Sequence, residues 1–255
     1  MSKKPTDLGH NRSGIATSPL EAKRAIEGAS EGVPDDTVSQ EAAALENMRL
    51  DYSRKAEPLG SIPPPATVKG KAKTAMHLLK GERPTVFIDM LGARLGFERT
   101  GVRLYEALLV KLEASHSKTG GPTRAELEKI RDDELRHFHM LEGIMEKLGA
   151  DPTALTPSAN TQALSSEGIV KVLAEPGTTL TQALQAILTV ELADNDAWDM
   201  LVDLAEELGH KDMVEQFEQA LLDEEEHLQQ VRGWLRQALH AQAAGSSAQA
   251  EMHNL

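Results

Sequence analysis

Glu134-x-x-His137 and Glu224-x-x-His227 are two Glu-x-x-His pairs, each preceded by an aspartate, Asp133 and Asp223. Both fall in stretches with the period of long amphipathic helices. Three residues of helix put a glutamate and a histidine on one face, so each pair can grip one metal ion. The chain has no cysteine, which removes thiolate zinc sites, haem attachment motifs and iron–sulfur ligation. Any metal must therefore sit on oxygen and nitrogen.

A helix that faces a bundle core shows apolar residues at alternating steps of three and four. Four such stripes run through the chain. The first is Leu91, Leu95, Glu98, Val102, Tyr105, Leu109, Leu112, and the second is Leu127, Ile130, Glu134, His137, Leu141, Ile144, Leu148. The third is Leu180, Leu184, Ile187, Glu191, Asp194, Trp198, Leu201, and the fourth is Met213, Phe217, Ala220, Glu224, His227, Val231, Trp234. Each is apolar except near its middle, where a carboxylate stands at a position that costs several kcal/mol to fill with an unpaired charge. A pair of divalent cations resolves the conflict, and a mixed set of carboxylates and imidazoles suits iron, manganese or zinc. The halves also repeat. Glu98 is followed by Tyr105 and Glu191 by Trp198, each seven residues on, and the next Glu-x-x-His follows after 36 and 33 residues, as in a duplicated two-helix unit.

Composition agrees with helices. Aromatics make up 3% of the 255 residues, and strands are usually rich in aromatic and β-branched side chains. The opening residues have no apolar run of a signal peptide, and no stretch is long and uncharged enough to cross a bilayer, so a cytoplasmic location is expected. Of the net charge of −13, residues 81–255 carry 15 basic and 30 acidic side chains, a balance that attracts cations and disfavours nucleic acid.

Along the chain, residues 1–60 read as a largely disordered extension with a weak helical patch at Ser39–Leu50. A Pro-rich and basic amphipathic segment follows at 61–83, and the helical bundle occupies 84–241. Pro84 opens its first helix, Gly120-Gly121-Pro122 separates the first from the second, and Gly149 and Gly209 close the second and third. Ala150 to Thr178 is too long for a tight turn and reads as a crossover along the bundle. Residues 242–255 read as a flexible tail.

At the four stripes the chain resembles the ferritin-like superfamily of carboxylate-bridged di-iron proteins, including rubrerythrins and bacterioferritins. The resemblance implies an all-α antiparallel four-helix bundle with one long crossover. Carried over by position, Glu98, Glu134, His137, Glu191, Glu224 and His227 are the metal ligands, with Glu134 and Glu224 as bridges. Asp194 stands where rubrerythrin-like proteins carry a further carboxylate, as a ligand or as a hydrogen-bond acceptor behind one. Asp133 and Asp223, each four residues before a histidine, are expected to accept the other ring N–H of that histidine. The Asp-Glu-x-Arg-His form of the first motif also resembles bacterial di-iron monooxygenases. Tyr105 is expected to pack in the core with its hydroxyl on a ligand carboxylate. Glu106, off the core stripe, is the rival to Glu98. His116, His139, His210 and His240 read as surface residues, and Trp198 and Trp234 as core fillers.

The resemblance implies two iron ions, with manganese or a mixed iron–manganese pair served by the same ligands. Such a centre reacts with dioxygen or peroxide, as a ferroxidase or peroxidase, and draws on an external electron donor because no rubredoxin-type cysteines are present. The alternatives are a non-catalytic iron-sequestering, stress-protective homo-oligomer and an oxygenase of an organic substrate.

Overall fold

The computed structural model describes residues 35–62, 84–115 and 121–244. Among them every regular element is an α-helix: α1 (Asp35–Lys55), α2 (Pro84–Ala114), α3 (Arg124–Leu148), α4 (Pro157–Ala174), α5 (Leu180–Glu207) and α6 (Lys211–Ala243). The patch expected at Ser39–Leu50 is the middle of α1, which falls in a unit of its own, residues 1–58. The expectations for residues 1–34, for 63–83, for His116 and for the tail beyond 244 lie outside the described residues. No described helix is long and apolar enough to cross a membrane.

Local chemistry sets the helix ends. Thr123 accepts from the Glu126 amide while the Glu126 side chain accepts from the Thr123 amide, and Thr179 and Gln182 repeat this reciprocal cap at the start of α5. Gly149 and Gly209 take the left-handed conformation just past α3 and α5, with φ of 83° and 74°, where a side chain would be strained.

The other five helices form one unit, residues 59–255. Helices α2, α3, α5 and α6 make the bundle, and cross-helix pairs give their directions. Lys129 meets Glu226, Arg136 meets Asp223 and Lys147 meets Asp212, so α3 and α6 run antiparallel. Arg94 pairs with Asp194 and Tyr105 with Glu191, so α2 and α5 do the same.

The crossover is largely helical. At its start, Ser158 donates through its amide and hydroxyl to Asp89 on α2, at 2.9 and 2.7 Å. At its end, Lys111 of α2 donates to the carbonyls of Glu175 and Thr178. Helix α4 therefore runs along α2 and carries the chain the length of the bundle. It buries only Ala159, Ser166 and Leu173 and leaves Leu164 and Val170 exposed, which is why its amphipathic signal is weak.

Two apolar clusters fill the bundle. One gathers Leu104, Leu108, Leu127, Ile130, Leu184, Ile187 and Val231, and the other Phe87, Leu91, Leu141, Ile144, Trp198, Leu201 and Phe217. Between them lies a polar layer.

Candidate metal centre

That layer is made by the residues in the middle of the four stripes. Helix α2 supplies Glu98, α3 supplies Glu134 and His137, α5 supplies Glu191 and Asp194, and α6 supplies Glu224 and His227; none is more than 2% exposed. Ligand atoms of Glu98, His137 and Glu224 lie within 4.8 Å of one another, as do those of Glu134, Glu224 and His227, and those of Glu98, Glu134, Asp194 and Glu224. Glu224 is common to all three groups. Glu191 stands beside them, with Oε1 accepting from the Tyr105 hydroxyl at 2.5 Å. Glu106 is exposed, which leaves Glu98 as the glutamate that α2 brings to the centre.

The polar atoms of this layer show whether a cation fits. Glu98 Oε2, both oxygens of Glu134, Glu191 Oε2, Glu224 Oε1 and His137 Nδ1 are buried without a hydrogen-bond partner. Leaving one buried acceptor unpaired costs about 1–3 kcal/mol, and more if it is charged. His137 Nδ1 and Glu224 Oε1 approach to 2.9 Å, yet off the direction of a hydrogen bond, so both remain available to a cation. Unsatisfied oxygen and nitrogen donors gathered this closely fit one or two divalent ions of the iron, manganese or zinc kind.

Both histidines are oriented from behind, but with partners exchanged. His137 Nε2 meets Asp223 at 3.3 Å and His227 Nε2 meets Asp133 at 3.2 Å, so each aspartate serves the histidine of the other motif, not its own. The antiparallel α3 and α6 place each short aspartate side chain opposite the neighbouring helix, within reach of its histidine. Donation from Nε2 leaves Nδ1 as the atom offered to the centre. Arg136 ties the two aspartates together, donating to Asp133 at 2.5 Å and Asp223 at 2.6 Å.

Three further residues escape a reading by motif. Arg94 is 3% exposed, with Nε 2.9 Å from Glu98 and Nη1 2.7 Å from Asp194. Its place four residues before Glu98, on the same helix face, was the available signal. Asp194 is thus held by a guanidinium on one side while facing the carboxylates on the other. Gly101 gives Glu134 its room, because a Cβ there would lie 2.0 Å from Glu134 Oε2. Asn195 donates to the backbone carbonyls of Glu191 and Glu224 at 3.0 and 2.9 Å, fastening α5 to α6 at the centre. Trp198, in the core as expected, donates from Nε1 to Glu98 at 3.1 Å. His139 and His240 are exposed, whereas His210 is half-buried and stacks on Phe87 with ring centroids 4.9 Å apart.

The electrostatics follow from burial and crowding. Burial, then the neighbouring Glu224 and Glu98 charges, drives the Glu134 carboxyl well above the usual range. Burial likewise raises Asp194, against the pull of Arg94, and together with Glu224 it raises Glu191 to about 8. Burial would raise Glu224 too, but His137 and His227 outweigh it and hold Glu224 at about 2. For His137, burial opposes the charged form, yet the closeness of Glu224 and Glu98 wins and pushes the ring up to about 10. Asp133 and Glu224 similarly lift His227 to about 9 despite its burial.

These shifts give the metal-free protein a pH dependence of known sign. Raised histidines contribute stability that is complete below their unfolded value near 6.5 and is lost as pH climbs through about 9 and 10. Glu191 adds loss in the same direction between about 4.5 and 8. Thermal unfolding in chelator is therefore expected to show a falling midpoint from pH 6.5 to 10. With a divalent metal bound, protons no longer compete for the imidazoles, so affinity rises with pH and the fall is offset. Parallel midpoints with and without metal across that window would refute the coupling.

An all-helical bundle whose middle layer is a buried carboxylate–imidazole cluster defines a candidate metal-binding helical protein. Residues 119–239 match the family model of the ferritin-like domain, and the helical bundle is consistent with that match. No curated protein and no solved structure registered a match. The family match covers α3 to α6; Glu98, from α2, is tied to the centre by the structure itself.

Proposed function

We propose that this protein binds two iron ions between α2, α3, α5 and α6 and acts as a ferroxidase or peroxidase. The observation that carries the reading is the set of buried, unpaired oxygens and nitrogen in the polar layer. In this assignment Glu98, Glu134, His137, Glu191, Glu224 and His227 would hold the ions. A manganese or mixed pair would use the same donors.

Two ferrous ions held there would supply the two electrons that reduce one peroxide, or that start the reduction of dioxygen. The chain's own residues prepare the site for this. Asp133 and Asp223 hold the Nε2 protons of the histidines, so their rings keep one tautomer and one orientation. Arg94 adds a fixed positive charge beside Glu98 and Asp194. The apolar clusters on either side of the layer keep water scarce. Each cycle that leaves two ferric ions needs two electrons from a donor outside the chain, which itself has no cysteine to carry a relay.

The test is iron bound per chain after purification without chelator, followed by addition of ferrous iron in air. Loading that stops near two, with a ferric absorbance that grows as oxygen is consumed, is the expected result. Continued loading well beyond two would favour a store over a catalyst, and no binding at all would overturn the reading.

A further inference from the structure

Between α2, α4 and α5 lies a pocket with about 240 Å³ of empty space, part of it open to solvent. Met90, Ala93, Ala197 and Leu201 make apolar walls, and Gln162 and Arg94 are its polar members. The space is below the roughly 300–1,000 Å³ of pockets that take drug-sized ligands. Its enclosed part has room for only about one or two water-sized molecules.

Arg94 links this pocket to the centre. Its Nε faces Glu98 and its Nη1 faces Asp194, while Nη2 is buried with no hydrogen-bond partner. A buried charged donor left idle is costly, and a small oxygen acceptor in the pocket would satisfy it. The guanidinium also sets what can pass. Its positive charge disfavours a cation in the pocket and the apolar walls disfavour any ion stripped of water, so an uncharged oxygen species is favoured over a metal ion or an anion.

We propose that this pocket is the port through which a small uncharged oxidant, hydrogen peroxide or dioxygen, reaches the centre, with Arg94 Nη2 as the donor that receives it. The inference rests on the oxidant-consuming function proposed above. Ferrous ions reach the centre by another way, since the port ends on a cation.

Trp198 is the reporter for a test. Its ring lies 5.7 Å from the Arg94 guanidinium, and Trp234 belongs to the other apolar cluster, so a Trp234→Phe background isolates its fluorescence. In that background Ala197→Leu narrows the pocket and Met90→Ala widens it. Quenching of Trp198 by dissolved dioxygen is measured on metal-free protein, and iron loading and the rate of oxidant consumption on iron-loaded protein.

With Ala197→Leu, quenching and the oxidant rate constant are expected to fall about ten-fold, because passage then requires side chains to move, while iron loading stays the same. Met90→Ala is expected to raise both. Unchanged quenching and oxidation in both variants would overturn the port, as would slowed iron loading with oxidation intact. If no variant or parent binds iron, the proposed function fails, and the quenching series still decides whether the port admits dioxygen.

Discussion

Replacing Glu224 with alanine is expected to abolish metal binding and to destabilise the metal-free protein by about 3–5 kcal/mol, the usual cost of removing one partner of a buried ion pair. Among the described residues Glu224 belongs to every group of side chains close enough to share an ion, and without it only the carboxylates of Glu98, Glu134 and Asp194 remain so gathered, with no imidazole among them. In the metal-free chain it is also the anion on which both histidines depend, with Oε1 2.9 Å from His137 Nδ1 and Oε2 3.2 Å from His227 Nδ1. One opposing effect must be weighed, since deleting a carboxylate from a crowded layer also relieves repulsion. That relief is reduced because burial raises the Glu134, Asp194 and Glu191 carboxyls, which lessens the negative charge around Glu224. The checks are iron per chain and the unfolding midpoint in chelator. Retention of iron at the parental stoichiometry would remove Glu224 from the centre.

Gly101→Ala is expected to have the opposite profile, a loss of metal affinity without a loss of fold. The new Cβ would meet Glu134 Oε2 at 2.0 Å and Cδ at 2.6 Å. These atoms are the far end of a flexible side chain, so the carboxylate swings away before the helices part. Alanine in mid-helix is itself favoured over glycine by roughly 0.5–1 kcal/mol, which supports the metal-free fold. Displacing one carboxylate in this way should weaken metal binding about 10–100-fold, the range seen when ligands lose their orientation. Competition with a chromophoric chelator measures the affinity, and calorimetry in excess chelator measures the fold. A protein that no longer folds, or one that binds metal as before, would each show that Gly101 is not what seats Glu134.

The two variants bracket what sequence alone could and could not indicate. Glu224 is legible because it interrupts an apolar stripe in phase with a histidine three residues on, a signal confined to one helix. Glu134 carries the same two marks, whereas Glu98 and Glu191 interrupt their stripes without a histidine three residues on; all three are buried in the polar layer. Gly101 is only half legible: a glycine in mid-helix is costly and asks for a reason, but the reason is a carboxylate on another helix. Arg94 lies off the first stripe, and its partner Asp194 lies on α5, one hundred residues away in number and 2.7 Å away in space.

The four bundle helices, the phase of each core face and the carboxylates and imidazoles that interrupt it were determined by the sequence itself, because these properties depend on the rise and turn of a single helix, whereas the weakly amphipathic α4 in the crossover was not legible. Tertiary structure decided which groups answer one another. The exchange of Asp133 and Asp223 between the histidines, the clamp of Arg136 across both, and the hold of Arg94 on Asp194 all join different helices. Spacing within one segment carries no record of such partners, since they are set by helix direction and by side-chain reach across the bundle.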